Sequence, residues 1–108
     1  MAENLTSTIK IRLKRIAGST LVRLLITHPM ETGRRTDIET GELLAAHYIN
    51  RLLVTHDDEI VASCALGPGI SADPYFSFRF KHGKPGDQVT VTWVDNLGNW
   101  DKLTEIIK

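Results

Sequence analysis

A single cysteine, Cys64, rules out any disulfide within this chain, so packing and hydrogen bonding must hold the fold together. There is no surplus charge of either sign: thirteen Lys and Arg stand against thirteen Asp and Glu. That argues against a nucleic-acid-binding domain, which relies on excess cations at phosphates. No apolar run approaches the ~20 residues a membrane-crossing helix needs. The opening Met1-Ala2-Glu3-Asn4-Leu5-Thr6-Ser7 has neither a basic n-region nor an apolar h-region, so no secretory signal is expected. Read alone, the chain is expected in the cytoplasm unless something else carries it out. Repeats, linkers and low-complexity segments are missing too. Helical signal is scarce: Glu39 to Tyr48, with Glu42-Leu43-Leu44-Ala45-Ala46, is the one candidate, and ten residues are marginal without tertiary support.

What is present is alternation. Ile9, Ile11 and Leu13 alternate with Lys10, Arg12 and Lys14, the pattern of a half-buried strand with one basic face. The basic face reads as an edge protected by charge against pairing with other chains. After the turn Ala17-Gly18-Ser19, a strand over Thr20 to Thr27 sets Val22, Leu24 and Ile26 against Leu21, Arg23, Leu25 and Thr27. A third, Tyr48 to His56, sets Tyr48, Asn50, Leu52 and Val54 against Ile49, Arg51, Leu53 and Thr55. Asp57-Asp58 predicts a tight hairpin into a fourth strand, Glu59 to Leu66, with Ile60, Ala62, Cys64 and Leu66 in phase. Phe76, Phe78 and Phe80, at period two in the strand Tyr75 to Lys81, are the strongest core signal in the chain. Val89, Val91 and Trp93 define a sixth strand ending at Asp95-Asn96-Leu97-Gly98, and a seventh runs from Asn99 to Ile107. The expectation is an all-β protein: one domain over residues 1–108, an immunoglobulin-like antiparallel β-sandwich of about seven strands.

Chemistry is sparse. The four histidines, His28, His47, His56 and His82, show no i, i+2 or i, i+4 spacing that would put two metal ligands on one side of an element, so no metal site is expected. His56 and His82 read as surface residues beside turns. Cys64 falls in phase with Ile60, Ala62 and Leu66, the profile of inert packing rather than of a nucleophile with a base. Gly67-Pro68-Gly69 lacks the lysine and helix of a phosphate loop. Asp95-Asn96-Leu97-Gly98 reads as a hairpin turn with Gly98 at positive φ. No catalytic apparatus and no cofactor are implied. A binding module is the better class.

Four separated pieces give the chain a likeness: His28-Pro29-Met30-Glu31-Thr32-Gly33, Ile49-Asn50-Arg51, Asp73-Pro74-Tyr75-Phe76-Ser77-Phe78 and Trp93-Val94-Asp95-Asn96-Leu97-Gly98. In that order, and over nearly the whole chain, they resemble the SoxZ family, the small subunit of the SoxYZ carrier complex of bacterial thiosulfate oxidation. The resemblance implies an immunoglobulin-like, non-catalytic structural partner that forms a heterodimer with SoxY. SoxY carries the sulfur substrate on a cysteine in a Gly-rich C-terminal arm, and other Sox enzymes act on it in the periplasm. It also implies export of the folded pair on the signal of SoxY. This chain ends Thr104-Glu105-Ile106-Ile107-Lys108, without the Gly-Gly-Cys-Gly-Gly tail of the Y subunit.

Two sets of residues become candidates. Leu21, Leu25, Ile49 and Leu53 are the apolar positions left over on the second and third strands once one face of each is given to the core, and Met30 is a flexible apolar side chain suited to an interface. Together they form the expected SoxY contact, or a homodimer contact when the chain is isolated. The alternative is that these strands are central and the long loop folds across them. Arg34 and Arg35 could attract anionic sulfur cargo through bidentate guanidinium contacts, or they could be neutralised by Glu31, Asp37 or Glu39. The rival readings of the whole chain are a generic ligand-binding or adhesion sandwich and a metal- or thiol-dependent enzyme.

Overall fold

The alternation becomes seven strands among the described residues, 7–108 of this computed structural model: β1 (Ile9–Ile16), β2 (Ser19–Ile26), β3 (Ile49–His56), β4 (Glu59–Ala65), β5 (Tyr75–Lys81), β6 (Gln88–Asp95) and β7 (Trp100–Ile106). The reading of the N-terminus as lacking a signal falls almost wholly on Met1 to Thr6, outside the described residues. All pairings are antiparallel, and they sort the strands into a three-stranded sheet, β1-β2-β5, and a four-stranded sheet, β4-β3-β6-β7. This is the expected immunoglobulin-like sandwich. Two-residue hairpins join β1 to β2 at Ala17-Gly18 and β3 to β4 at Asp57-Asp58, with φ positive at both residues of each. That geometry matches the twist of the flanking strands, and Gly and Asp adopt it at low cost.

The core lies where the inner faces meet. Val22, Leu24 and Ile26 of β2 face Ile49, Leu52 and Val54 of β3 and Val89, Val91 and Trp93 of β6, all buried. Phe76, Phe78 and Phe80 do point inward but are only half-buried, packed against this centre rather than forming it. Their strand lies at a sheet edge, so one flank of each ring has no neighbouring strand. Cys64 is likewise half-buried on the inner face of the edge strand β4, opposite Leu52.

Two β-bulges shift the expected faces. Against β6, Ile49 pairs with Asp95 and Arg51 with Val94, leaving Asn50 as an extra residue. The slip puts Ile49 on the same inward face as Leu52 and Val54, where it is wholly buried. Against β4, Val54 pairs with Ala62 and Thr55 with Ile60, so Val61 is the extra residue and Ile60 turns outward, 64% exposed, rather than into the core.

The candidate helix Glu39 to Tyr48 does not form. Asp37 accepts the backbone N–H groups of Glu39 and Thr40 on Oδ1, Gly41 sits at φ +73°, and the chain folds back so that Thr36 and Leu43 form an isolated bridge. A side chain that satisfies local N–H groups in this way competes directly with helix formation.

Candidate functional site

Asp95, the last residue of β6, continues the inward series Val89, Val91, Trp93 and is itself buried. A carboxylate there must be paired. Its Oδ1 accepts the N–H groups of Leu97 and Asn99 at 3.0 and 2.8 Å, which closes the β6–β7 turn with Gly98 at φ +86°. Its Oδ2 meets His28 Nε2 at 3.1 Å, His47 Nε2 at 2.7 Å and Asn99 Nδ2 at 3.1 Å. Burial by itself would raise the pKa of Asp95, but the hydrogen bonds from His28, Asn99 and His47 outweigh it and hold the carboxyl far below the usual carboxylate range.

His28 is buried with its ring edge-on to Trp93, at 5.1 Å between centroids, and to His47 at 4.6 Å. Its backbone is fastened to the segment before β5: His28 N–H donates to Asp73 Oδ1, and Asp73 N–H donates to the His28 carbonyl, each at 3.0 Å. Met30 N–H donates to His28 Nδ1 at 3.1 Å. The ring nitrogen that accepts cannot carry the proton of the neutral imidazole, so that proton is on Nε2 and points at Asp95.

The tautomer decides what the cluster can do. His28, His47 and Asp95 bring three potential metal-ligand atoms within 4.8 Å of one another, a grouping that sequence spacing did not reveal. Ligation by His28 Nε2 would move its proton to Nδ1, directly against the Met30 N–H. The group is built to lock the loop through hydrogen bonds. A signal was available in the sequence: an acid in phase with three core residues needs buried donors, and these came from far along the chain.

The same place collects the rest of the long connection. Glu31 and His47 exchange backbone hydrogen bonds at 2.7 and 3.0 Å. Asn96 accepts the Tyr48 N–H on Oδ1 and donates from Nδ2 to the Ala46 carbonyl. The N–H of Ile49 points at Met30 Sδ, 3.4 Å away. All four sequence pieces that carry the family likeness therefore send residues to one buckle at one end of the sandwich. A second, smaller cluster at the opposite end joins His56 Nε2 to Asp87 Oδ2 at 2.8 Å, and His56 is half-buried against Phe80 rather than a free surface residue. His56 first, then the Lys84 N–H, lower the pKa of Asp87.

Residues 10–105 match the family model of sulphur oxidation protein SoxZ. The chain belongs to the SoxZ family. Membership implies a role in the Sox sulfur-oxidation system. No curated protein matches the chain.

With the SoxZ fold in place, the candidate interface residues separate. Met30 and Ile49 are buried in the core and present no outer surface: Met30 is held under the buckle, and the Asn50 bulge turns Ile49 inward. Leu21 and Leu25 lie on the outer face of the three-stranded sheet, while Leu53 lies on the outer face of the four-stranded sheet. These are opposite sides of the sandwich, so the expected set does not form one surface. Leu53 stands between Ser63 and Thr92 on that outer face, which also carries Ile60, Ala65, Val94 and Trp100, with Val94 paired to Trp100 across β6 and β7. Trp100 is 65% exposed. The candidate arginines separate as well. Arg35 forms a two-pronged pair with Glu31, Nε to Oε1 at 3.0 Å and Nη2 to Oε2 at 2.7 Å, so its fork is occupied. Arg34 is exposed and makes no ion pair among the described residues.

Proposed function

We propose that this SoxZ-family chain is the non-catalytic structural partner of a SoxY-type sulfur carrier, forming a heterodimer with it in the periplasm through the outer face of the four-stranded sheet. The observation that carries this reading is the exposed pair Val94 and Trp100, with Leu53 and Ile60 set among threonines on the same face. A large exposed aromatic on an ordered sheet is the kind of anchor that dominates protein interfaces. The face is otherwise mostly uncharged, with Thr55, Ser63, Thr90, Thr92 and Thr104 filling it; Arg51, beside Val94, and Lys102, beside Thr92, are the cations within it. A non-catalytic role is supported by the hydrogen-bonded state of the buried ionisable groups, which serve the fold. Arg34, beside the buckle, is the arginine left to meet anionic cargo on the carrier arm.

Co-purification with a SoxY-type chain tests the pairing. Trp100→Glu and Leu53→Glu should each abolish the heterodimer while the isolated domain still unfolds cooperatively, and Leu25→Glu, on the opposite face, should leave it intact. In isolation the chain should self-associate through the same face, and Trp100→Glu should make it monomeric. Retention of the heterodimer by both β3 and β7 variants would refute the assignment.

A further inference from the structure

The outer face of the three-stranded sheet presents Lys10, Arg12 and Lys14 from β1, Arg23 from β2, and Arg79 and Lys81 from β5. Six of the chain's thirteen cations thus lie on one side of one sheet. No Asp or Glu occupies any position on that face, and among the described residues none of the six forms an ion pair. Arg12 and Arg23 sit directly opposite each other in the register, an arrangement that disfavours the folded sheet. Protecting the free edge of β1 would need charge only on β1; it does not account for Arg23 on the central strand or for Arg79 and Lys81 on the far strand. The face continues over the edge of β1 into a groove of about 440 Å³ that adds Arg15, with Glu105 as its acidic side chain.

We infer that this face is a docking surface for the acidic surface of another protein, separate from the Val94–Trp100 face opposite. Its composition favours a protein over a nucleic acid: Leu21, Leu25 and the exposed Tyr75 run between the cations, an apolar ridge that a phosphate backbone would leave uncovered. The charge is segregated rather than in surplus, so the remainder of a chain with no net charge is acidic and orients an incoming acidic partner toward this side. Charge sets the character of the contact: dominated by exposed cations, the encounter is fast, weak and salt-sensitive.

Amide-resolved NMR of the full chain tests this with a short poly-L-glutamate peptide, a short DNA duplex and sodium sulfate as separate probes. Poly-glutamate should shift residues of β1, β2 and β5, bind more tightly than the duplex, and weaken about tenfold between ~0.05 and ~0.2 M salt. Arg12→Gln with Arg23→Gln should weaken that binding about tenfold without lowering the thermal midpoint, because it removes an opposed like-charge pair. Arg51→Gln with Lys102→Gln, on the other sheet, should leave it unchanged. Tighter binding of the duplex would overturn the inference in favour of a nucleic acid. Saturation of the same residues by sulfate alone would reduce the face to a small-anion site. Absence of shifts with every probe, or equal loss in the two paired variants, would leave only a solvated basic surface.

Discussion

At the scale of single residues, Asp95 carries the most consequence. It is one of the few buried polar groups, and it receives donors from both ends of the long β2–β3 connection and from its own turn. Because its folded pKa lies below its unfolded value, it contributes stability that is complete above about pH 4 and is lost as pH falls further, when the unfolded chain takes up the proton first. Asp95→Asn should cost about 2–3 kcal/mol at neutral pH, since the amide sets a donor against the His28 Nε2–H. Denaturant titrations should also show the variant losing less stability than the parent as pH is lowered through that acid window. Gly83 offers a second test. It sits at φ +92°, and a Cβ there would run into the Thr20 hydroxyl, which is buried and donates to the His82 carbonyl at 2.9 Å. Gly41 has φ +73° with open space around it. Gly41→Ala should cost about 1 kcal/mol from backbone strain alone, and Gly83→Ala about 3 kcal/mol because the buried hydroxyl must also move; thermal unfolding separates the two.

At the scale of elements, strand existence was legible and strand phase was not always so. The period-two pattern located every strand to within about two residues, the usual uncertainty of such boundaries. It failed at Ile49 and Ile60, where one extra residue in a bulge reverses the facing of a side chain that local alternation assigns confidently to the other side. The phenylalanines of β5 mark the inner face correctly but cannot say that their strand is an edge. The segment from Glu39 to Tyr48 has helical composition, and it is Asp37 and Gly41 that turn it into a bridge-closed loop. Trp100→Glu and Leu25→Glu lie on opposite sheets, so together they test which sheet takes part in the proposed heterodimer. A heterodimer lost in the first and kept in the second, measured by size-exclusion chromatography of the co-expressed pair, is the expected outcome.

At the scale of the whole molecule, the two sheets are tied across their open side by a relay from Trp93 Nε1–H to Thr8 Oγ1 at 3.0 Å and from the Thr8 hydroxyl to Asp101 Oδ2 at 2.6 Å. Burial opposes ionisation of Asp101, but the Thr8 side-chain and backbone hydrogen bonds outweigh it and lower the pKa. Thr8→Val should leave the indole N–H unpaired and lower stability by about 1–2 kcal/mol, seen as a lower urea midpoint with an unchanged slope. The outer faces of the two sheets are chemically unlike, one carrying Val94 and Trp100 among threonines and one cationic. The two proposed contacts use these opposite faces.

The amino-acid sequence by itself determined the all-β class, the strand positions, the two tight hairpins and, through four short motifs, the family. It could do so because alternation and turn chemistry are local properties, and because the motifs are contiguous. The buckle at His28, where the chain first departs from alternation, needed the tertiary structure. Its partners His47, Asp73 and Asp95 lie between 19 and 67 positions away, and only closure of the sandwich brings them together. The same closure placed Leu21 and Leu53 on opposite sides, buried Met30 and Ile49, and gathered six cations from three strands onto one face. Which strands become neighbours is a global property of the packed core, and these surfaces follow from it.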